Sequence, residues 1–289
     1  ARTLFRDTNA AWINTRFAQV DWLPDNERVW MLSEETGYGH LYVLDVESGS
    51  KRALTSGAFE VSMPAATRDG RSIYFRANVS HPGRYDVYRV RVSDGRMEQI
   101  TELGGDVRFT LSPDEDRLLL RHSTTTMPEE LYVQRARAGA QARRITETVS
   151  DAFLAMPWMR PEIVEVPSTH VDRPIYARLY KPEDKSAAPR PAVVFIHGAG
   201  YLQNAHEGWS SYFREFMFHS LLVQRGYVVL DMDYRASAGY GAEWRTAIYR
   251  QMGTPEVQDL ADGGAYLARE HSGDPKRVGC YGGSYGGFL

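Results

Sequence analysis

Apolar and polar residues alternate along the first half of the chain in short runs. Tyr88, Val90 and Val92 fall on one side of an extended segment while Arg89 and Arg91 fall on the other. That period of two marks a half-buried strand. Asp69-Gly70 and Asp94-Gly95 stand between such runs, and Asp-Gly pairs favour the tight turns of hairpins. The runs also repeat. "LPDNERVWML" (Leu23–Leu32), "TRDGRSIYFR" (Thr67–Arg76) and "SPDEDRLLLR" (Ser112–Arg121) each put a turn before an apolar run, with Asp25, Asp69 and Asp114 spaced 44 and 45 residues apart. Tyr42, Tyr88 and Tyr132 keep nearly the same spacing, as do Leu54-Thr55, Ile100-Thr101 and Ile145-Thr146. Several short strands per unit at a period near 45 predict β-propeller blades. A stack of sandwich hairpins alternates in the same way but seldom holds one register. Rings close with about four to eight blades, and three units fall short of that. Residues 1–15 read as the last strands of a fourth unit, so residues 1–155 are expected to form a partial propeller whose front lies outside this chain.

The 45-residue register stops from "RPIYARLYKP" (Arg173–Pro182) onward, and "KPEDKSAAPRP" (Lys181–Pro191) is a polar loop marked by proline. "AVVFIHGAG" is a continuous apolar run ending in glycines, which suits a strand covered on both faces of a parallel sheet. "SSYFREFMFHSLLVQRG" predicts a helix with Phe213, Phe216, Met217 and Leu221 inward and Gly226 as its stop. "YVVLDMDY" (Tyr227–Tyr234) predicts a buried strand. "PEVQDLADGGAYLAREHSG" predicts a second helix with Val257, Leu260, Ala261, Gly264 and Leu267 inward. Its early acids, Glu256, Asp259 and Asp262, would complement the helix dipole. "RVGCYGGS" reads as one more strand, running into a serine. Strands alternating with helices predict an α/β domain with a mostly parallel sheet over residues 156–289.

Composition narrows the function classes without choosing among them. A net charge of −3 gives no electrostatic case for nucleic acid or an anionic membrane surface as partner. No apolar run nears the 18 or so residues of a membrane span. A single cysteine, Cys280, excludes an internal disulfide and any cysteine-based zinc cluster. No motif calls for a metal or nucleotide cofactor. A soluble protein of cytoplasm or periplasm fits these facts, and a homo-oligomer is left open.

The chemistry enters with Gly282-Gly283-Ser284-Tyr285-Gly286. The pattern G-x-S-x-G is informative when a strand precedes it and a helix follows, because Gly282 and Gly286 then allow the sharp turn that lifts the serine hydroxyl above the sheet. A glycine-rich strand-to-helix turn with an idle serine is the plainer alternative. The dinucleotide-binding fingerprint fails, since Ser284 replaces its second glycine. "HGAG" (His197–Gly200) stands where an oxyanion loop belongs, after a buried strand and before the first helix. Its backbone N–H groups and that of Tyr285 are candidates to hold an oxyanion. A loop histidine bonded to backbone is the alternative for His197. Serine needs a base to take its proton, and α/β-hydrolases run in the order Ser, Asp, His. The triad aspartate and histidine are therefore expected beyond Leu289, the chain as an inactive window of a longer enzyme. The rival order Asp, His, Ser would instead use His197 or His206 with Asp233.

Together these stretches resemble the prolyl oligopeptidase family, serine peptidases with a propeller in front of an α/β-hydrolase domain. "YGGSYGGF" (Tyr281–Phe288), "DYRASAGYGAEWRTAI" (Asp233–Ile248) and "MGTPEVQDLADG" (Met252–Gly263) carry the likeness. "SEETGYGHLYVLD" (Ser33–Asp45) and "LTSGAFEV" (Leu54–Val61) look like its dipeptidyl peptidase IV and acylaminoacyl-peptidase branches. The resemblance implies hydrolysis of short peptides through an acyl-enzyme on Ser284. It also implies a tyrosine hydroxyl as a second oxyanion donor on the loop after Ile196. This sequence departs there, with His197 near that place and Tyr201 a few residues on. Ala236 likewise stands where the family more usually has glycine. An esterase on the same scaffold and a non-catalytic propeller platform remain the other two classes.

Overall fold

The computed structural model describes residues 2–184, 188–198 and 202–289. The chain divides into two compact units, one of residues 1–124, 129–148 and 239–243, the other of residues 125–128, 149–238 and 244–289.

In the first unit β1 (Val20–Trp22), β2 (Arg28–Ser33), β3 (His40–Asp45) and β4 (Lys51–Ala53) form one antiparallel meander. A second is built from β5 (Val61–Ala66), β6 (Ser72–His81), β7 (Arg84–Arg91) and β8 (Met97–Gln99). A third comprises β9 (Asp106–Leu111), β10 (Arg117–Thr124), β11 (Met127–Arg135) and β12 (Arg143–Arg144). Each meander is one propeller blade, and the Tyr85–Asp106 pair links β7 of the second to β9 of the third.

The recurring residues recur because each closes the same backbone gap. In the three β-turns Asn26, Gly70 and Glu115 adopt left-handed φ of 57°, 64° and 60°. The aspartate before each accepts N–H bonds from the returning strand: Asp25 from Glu27 and Arg28, Asp69 from Arg71, Asp114 from Asp116. The threonines do the equivalent at the far end of the blade. Thr55, Thr101 and Thr146 accept the N–H of Leu41, Val87 and Leu131 at 3.0, 2.9 and 2.8 Å. Each hydroxyl also meets the side chain one residue earlier, His40, Asp86 or Glu130. Around these fixed points the inward strand positions pack into apolar clusters, with Leu41, Val43, Phe75 and Val90 in one and Val107, Phe109, Leu118 and Leu120 in another.

Residues 1–15, expected as the end of a fourth unit, form no strand among the described residues. Leu4 and Phe5 instead lie against Met31, Tyr42 and Leu44 of the first blade. Apolar residues without a pairing edge cover an exposed face rather than extend a sheet.

Glu130 yields a test of the third blade. Its buried carboxylate accepts the Thr146 and Thr148 hydroxyls, the Thr148 N–H and an Arg144 guanidinium N–H. Burial pushes this acid up, but the four donors outweigh it and hold it at about 2. A depressed carboxyl stabilises fully above its unfolded value, near 4.5, and that stability drains as pH falls toward 2. Glu130→Gln is expected to cost about 2 kcal/mol at neutral pH, the worth of a hydrogen-bonded charge. Urea unfolding at pH 7 and pH 3 should show the gap between variant and wild type narrowing in acid.

The second unit is a five-stranded sheet with helices. Its strands are β13 (Glu162–Val166), β14 (Ile175–Tyr180), β15 (Arg190–Ile196), β16 (Val228–Met232) and β17 (Gly273–Gly282), ordered β13-β14-β16-β15-β17. β15 pairs parallel with β16 and β17, while β14 runs antiparallel to β13 and β16. β13 and β17 are the edge strands of these five. The helices are α1 (Asp151–Leu154), α2 (Phe213–Gln224), α3 (Ala242–Thr246), α4 (Pro255–Glu270) and α5 (Tyr285–Phe288). Among the described residues no helix is long and apolar enough to cross a membrane.

The inward faces of α2 and α4 differ from those read in the sequence. In α2 the buried residues are Phe216, His219, Ser220 and Val223, with Phe213 and Leu221 exposed. In α4 they include Glu256, Asp259, Asp262 and Leu267, with Val257 exposed. The acids do not simply face the helix dipole: each turns inward to a donor. Asp259 meets Arg235 at 2.8 Å, Asp262 accepts the Thr169 N–H and hydroxyl, and Glu256 accepts the Tyr285 hydroxyl.

Candidate active site

Sheet register brings the chemistry together. Ile196 at the end of β15 pairs with Met232 of β16 on one side and Gly282 of β17 on the other. The next residues, His197, Asp233 and Gly283-Ser284, therefore emerge side by side at the carboxyl ends of three adjacent strands. In open α/β sheets this is where ligands bind.

Ser284 lies in the turn between β17 and α5, with φ 54° and ψ −122°. A residue with a β-carbon is strained there, and such strain persists only where the surroundings impose it. Here they do so through Gly286. A β-carbon on Gly286 would lie 2.0 Å from the Ile196 carbonyl oxygen and 2.6 Å from that of His197. One on Gly282 would lie 2.5 Å from the same Ile196 oxygen. Only bare backbone fits between α5 and the end of β15, and the turn is bent to suit. The result leaves Ser284 exposed at the rim.

Tyr285 opens α5. Its N–H has no partner among the described residues, as an oxyanion donor requires. Its hydroxyl donates to buried Glu256, whose carboxylate also accepts the Gly253 N–H. Burial and then Glu256 push this hydroxyl upward in pKa, so it stays protonated.

The His197 ring is completely buried. Nδ1 lies 2.6 Å from the Gly198 carbonyl oxygen, and Nε2 lies 2.8 Å from Ser237 Oγ and 3.3 Å from Asp233 Oδ1. Neither nitrogen is left to take a proton from Ser284 or to meet an oxyanion. His206, the other base in the rival order, lies against Arg178 and the Gly208 N–H. Tyr201 lies outside the described residues.

Sequence reading missed Tyr212, the residue before α2. Its hydroxyl oxygen accepts the Gly198 N–H at 2.7 Å. A β-carbon on Gly198 would lie 2.9 Å from that oxygen and 3.6 Å from the Ser284 β-carbon, so one small space adjoins all three groups. The oxygen already accepts a hydrogen, and among the described residues no acceptor faces its own proton. The stretch "SSYF" gives no local signal of this, because the contact depends on the β15 end folding back.

Known proteins show the same two-part arrangement. The description "Dipeptidyl peptidase IV (DPP IV) N-terminal region" matches residues 1–129, and "Prolyl oligopeptidase family" matches residues 213–289. Dipeptidyl peptidase 8 of Homo sapiens is 27% identical, across 99% of this chain and 36% of its own length. Dipeptidyl-peptidase 5 of Porphyromonas gingivalis is 24% identical, across 92% of this chain and 38% of its own. The crystal structure of Porphyromonas gingivalis dipeptidyl peptidase 4 superposes with a TM-score of 0.84 at 22% identity, covering 98% of this chain and 40% of that one. The chain thus spans well under half the length of these relatives. The two family models thus match in order, the dipeptidyl peptidase IV N-terminal region over the blades and the prolyl oligopeptidase family over the part that holds α2, α4 and the Ser284 turn, and the chain is similar to that family in both.

Proposed function

We propose that this chain carries the nucleophile and oxyanion donors of a serine peptidase that cleaves short peptides through an acyl-enzyme on Ser284. The observation that carries the reading is the strained turn at Ser284, which holds an exposed hydroxyl beside the Tyr285 N–H, unpartnered among the described residues. Ser284 Oγ attacks the scissile carbonyl carbon and gives its proton to a histidine base. The carbonyl oxygen, now negative, takes hydrogen bonds from the Tyr285 N–H and the Tyr212 hydroxyl. Collapse expels the amine, which leaves with the proton from the histidine, and water then releases the acyl group by the same route. One such oxyanion donor is worth about 3–4 kcal/mol of barrier. The order of the triad in this fold puts its aspartate and histidine after the serine, and the relatives named above extend well past the matched length. Their names, all dipeptidyl peptidases, support peptides as substrates.

The test uses the full-length protein. A fluorophosphonate should label Ser284, found by mass spectrometry of the tryptic peptide, and short peptides should be turned over. Absence of labelling would remove the nucleophile. Turnover of p-nitrophenyl esters without any of peptides would replace the peptidase with an esterase.

A further inference from the structure

Resting on that reading of Ser284 and Tyr212, we propose that Asn204 is a positioning residue. Its side-chain amide links a buried aspartate of β16 to the backbone of Tyr212 and so sets where the Tyr212 hydroxyl stands.

Asn204 is buried, and every polar group it has is engaged. Its backbone N–H donates to Asp233 Oδ1 at 2.7 Å, and its carbonyl accepts the His206 N–H at 2.9 Å. In the side chain, Nδ2 donates to Asp231 Oδ2 and Oδ1 accepts the Ser210 hydroxyl at 2.6 Å. Ser210 Oγ in turn accepts the Tyr212 N–H at 2.9 Å. The direction of this chain is forced. A peptide N–H can only donate, so Ser210 Oγ accepts at Tyr212 and gives its own hydrogen to Asn204. A carboxylate can only accept, so the amide turns its NH2 toward Asp231. Between the two fits a side chain with a donor at one end and an acceptor at the other, which an amide supplies. Asp231 and Ser210 are buried too, and the Asp231 carboxylate takes no other hydrogen bond among the described residues. Leaving such a group without its partner is costly, so the interior holds this one arrangement.

The far end of the chain is the candidate oxyanion donor. Arg178, fully buried on β14, anchors the stretch in between: Nε donates to the His206 carbonyl oxygen at 3.0 Å and Nη2 to that of Gly208 at 2.7 Å. The Ala205 N–H meets Asp233 at 3.0 Å. Residues 204–208 are thereby seated on the sheet, and Tyr212 follows four residues on, just before α2. Its hydroxyl oxygen accepts the Gly198 N–H at 2.7 Å. That peptide is fixed from its other side by the Tyr234 hydroxyl, which donates to the carbonyl oxygens of His197 and Gly198 at 2.8 and 3.0 Å. Phe195 meets the Tyr212 ring edge-on, with centroids 5.3 Å apart. With its ring packed this way, the Tyr212 hydroxyl moves as its backbone moves, and that backbone is tied to Ser210. A shift there carries the hydroxyl away from the space beside Ser284. Asn204 acts through Tyr212 without touching substrate.

The experiment measures kcat and KM for the full-length protein with a short peptide, alongside fluorophosphonate labelling of Ser284 and a urea midpoint for each variant. Asn204→Asp sets a second carboxylate against Asp231. It should lower kcat on the order of 10- to 100-fold, the scale of a misplaced reacting group, and leave KM little changed. Asn204→Asp together with Asp231→Asn reverses donor and acceptor while keeping both links, and should regain most of the lost kcat. In a Tyr212→Phe background, which already lacks the hydroxyl, Asn204→Asp should cost kcat little more, since effects that run through one group do not add. Wild-type kcat in Asn204→Asp overturns the proposal. So does an equal further loss in the Tyr212→Phe background, or a paired exchange as slow as Asn204→Asp alone. Should Asn204→Asp fail to fold, Ser210→Ala cuts only the last link: lower kcat at unchanged KM supports the proposal, and wild-type kcat overturns it. A wild type that neither turns over peptide nor labels at Ser284 removes the underlying nucleophile instead, and this role with it.

Discussion

Replacing Ser284 with alanine in the full-length protein is expected to lower kcat/KM on the order of 10⁵- to 10⁶-fold, since a triad without its nucleophile forfeits nearly all its rate. Fluorophosphonate labelling should vanish with it. Stability separates this loss from a folding defect. The backbone at Ser284, φ 54° and ψ −122°, suits the first central position of a type II′ turn, where glycine alone is at ease. Alanine keeps the β-carbon and with it the strain, so its urea midpoint should match wild type. Ser284→Gly removes the β-carbon. It should be more stable than wild type by about 1 kcal/mol, strain released less the entropy cost of glycine, and equally inactive. Two variants with the same loss of turnover and different midpoints would show that the strain is held there for the hydroxyl. Turnover surviving in Ser284→Ala would send the chemistry to another residue.

The blades were legible because their landmarks do local work within each repeat. Asp25, Asp69 and Asp114 close a turn two or three residues long, and Thr55, Thr101 and Thr146 each meet an N–H some fourteen or fifteen residues back. Such contacts leave a fixed spacing in the sequence. The faces of α2 and α4 were misread for the opposite reason. Periodicity counts apolar residues, and these helices bury His219, Ser220, Glu256, Asp259 and Asp262 against partners that lie far off in the chain. A paired polar group inside looks, in sequence, like a solvated one. At the candidate site the turn at Ser284 was visible through its glycines, and the place of His197 through its position after β15. The partners of His197 were not, because Asp233, Tyr234 and Ser237 reach it only once β15 and β16 are in register. Tyr212 was hidden in the same way, its hydroxyl meeting an N–H 14 residues earlier.

Gly286→Ala should do more harm than its single methyl group suggests. The added carbon would sit 2.0 Å from the Ile196 oxygen, 2.6 Å from the His197 oxygen and 2.7 Å from the Ile196 carbonyl carbon. All three are backbone atoms at the end of a strand paired on both sides, so no rotamer change relieves the clash. Either α5 lifts away from β15 or the end of β15 shifts. The first moves the Tyr285 N–H; the second moves the peptide that Tyr212 and Tyr234 hold. Overpacking a tight interior typically costs 1–3 kcal/mol, and with backbone on both sides the cost here should be about 3 kcal/mol or more. Whatever folds should have lost about 100-fold in kcat through misplacement alone. Gly283→Ala is the control, since a β-carbon there meets nothing within 4 Å and its urea midpoint should stay close to wild type. If Gly286→Ala were as stable and as active as Gly283→Ala, α5 would not be seated against β15, and the strained turn would have nothing to hold it.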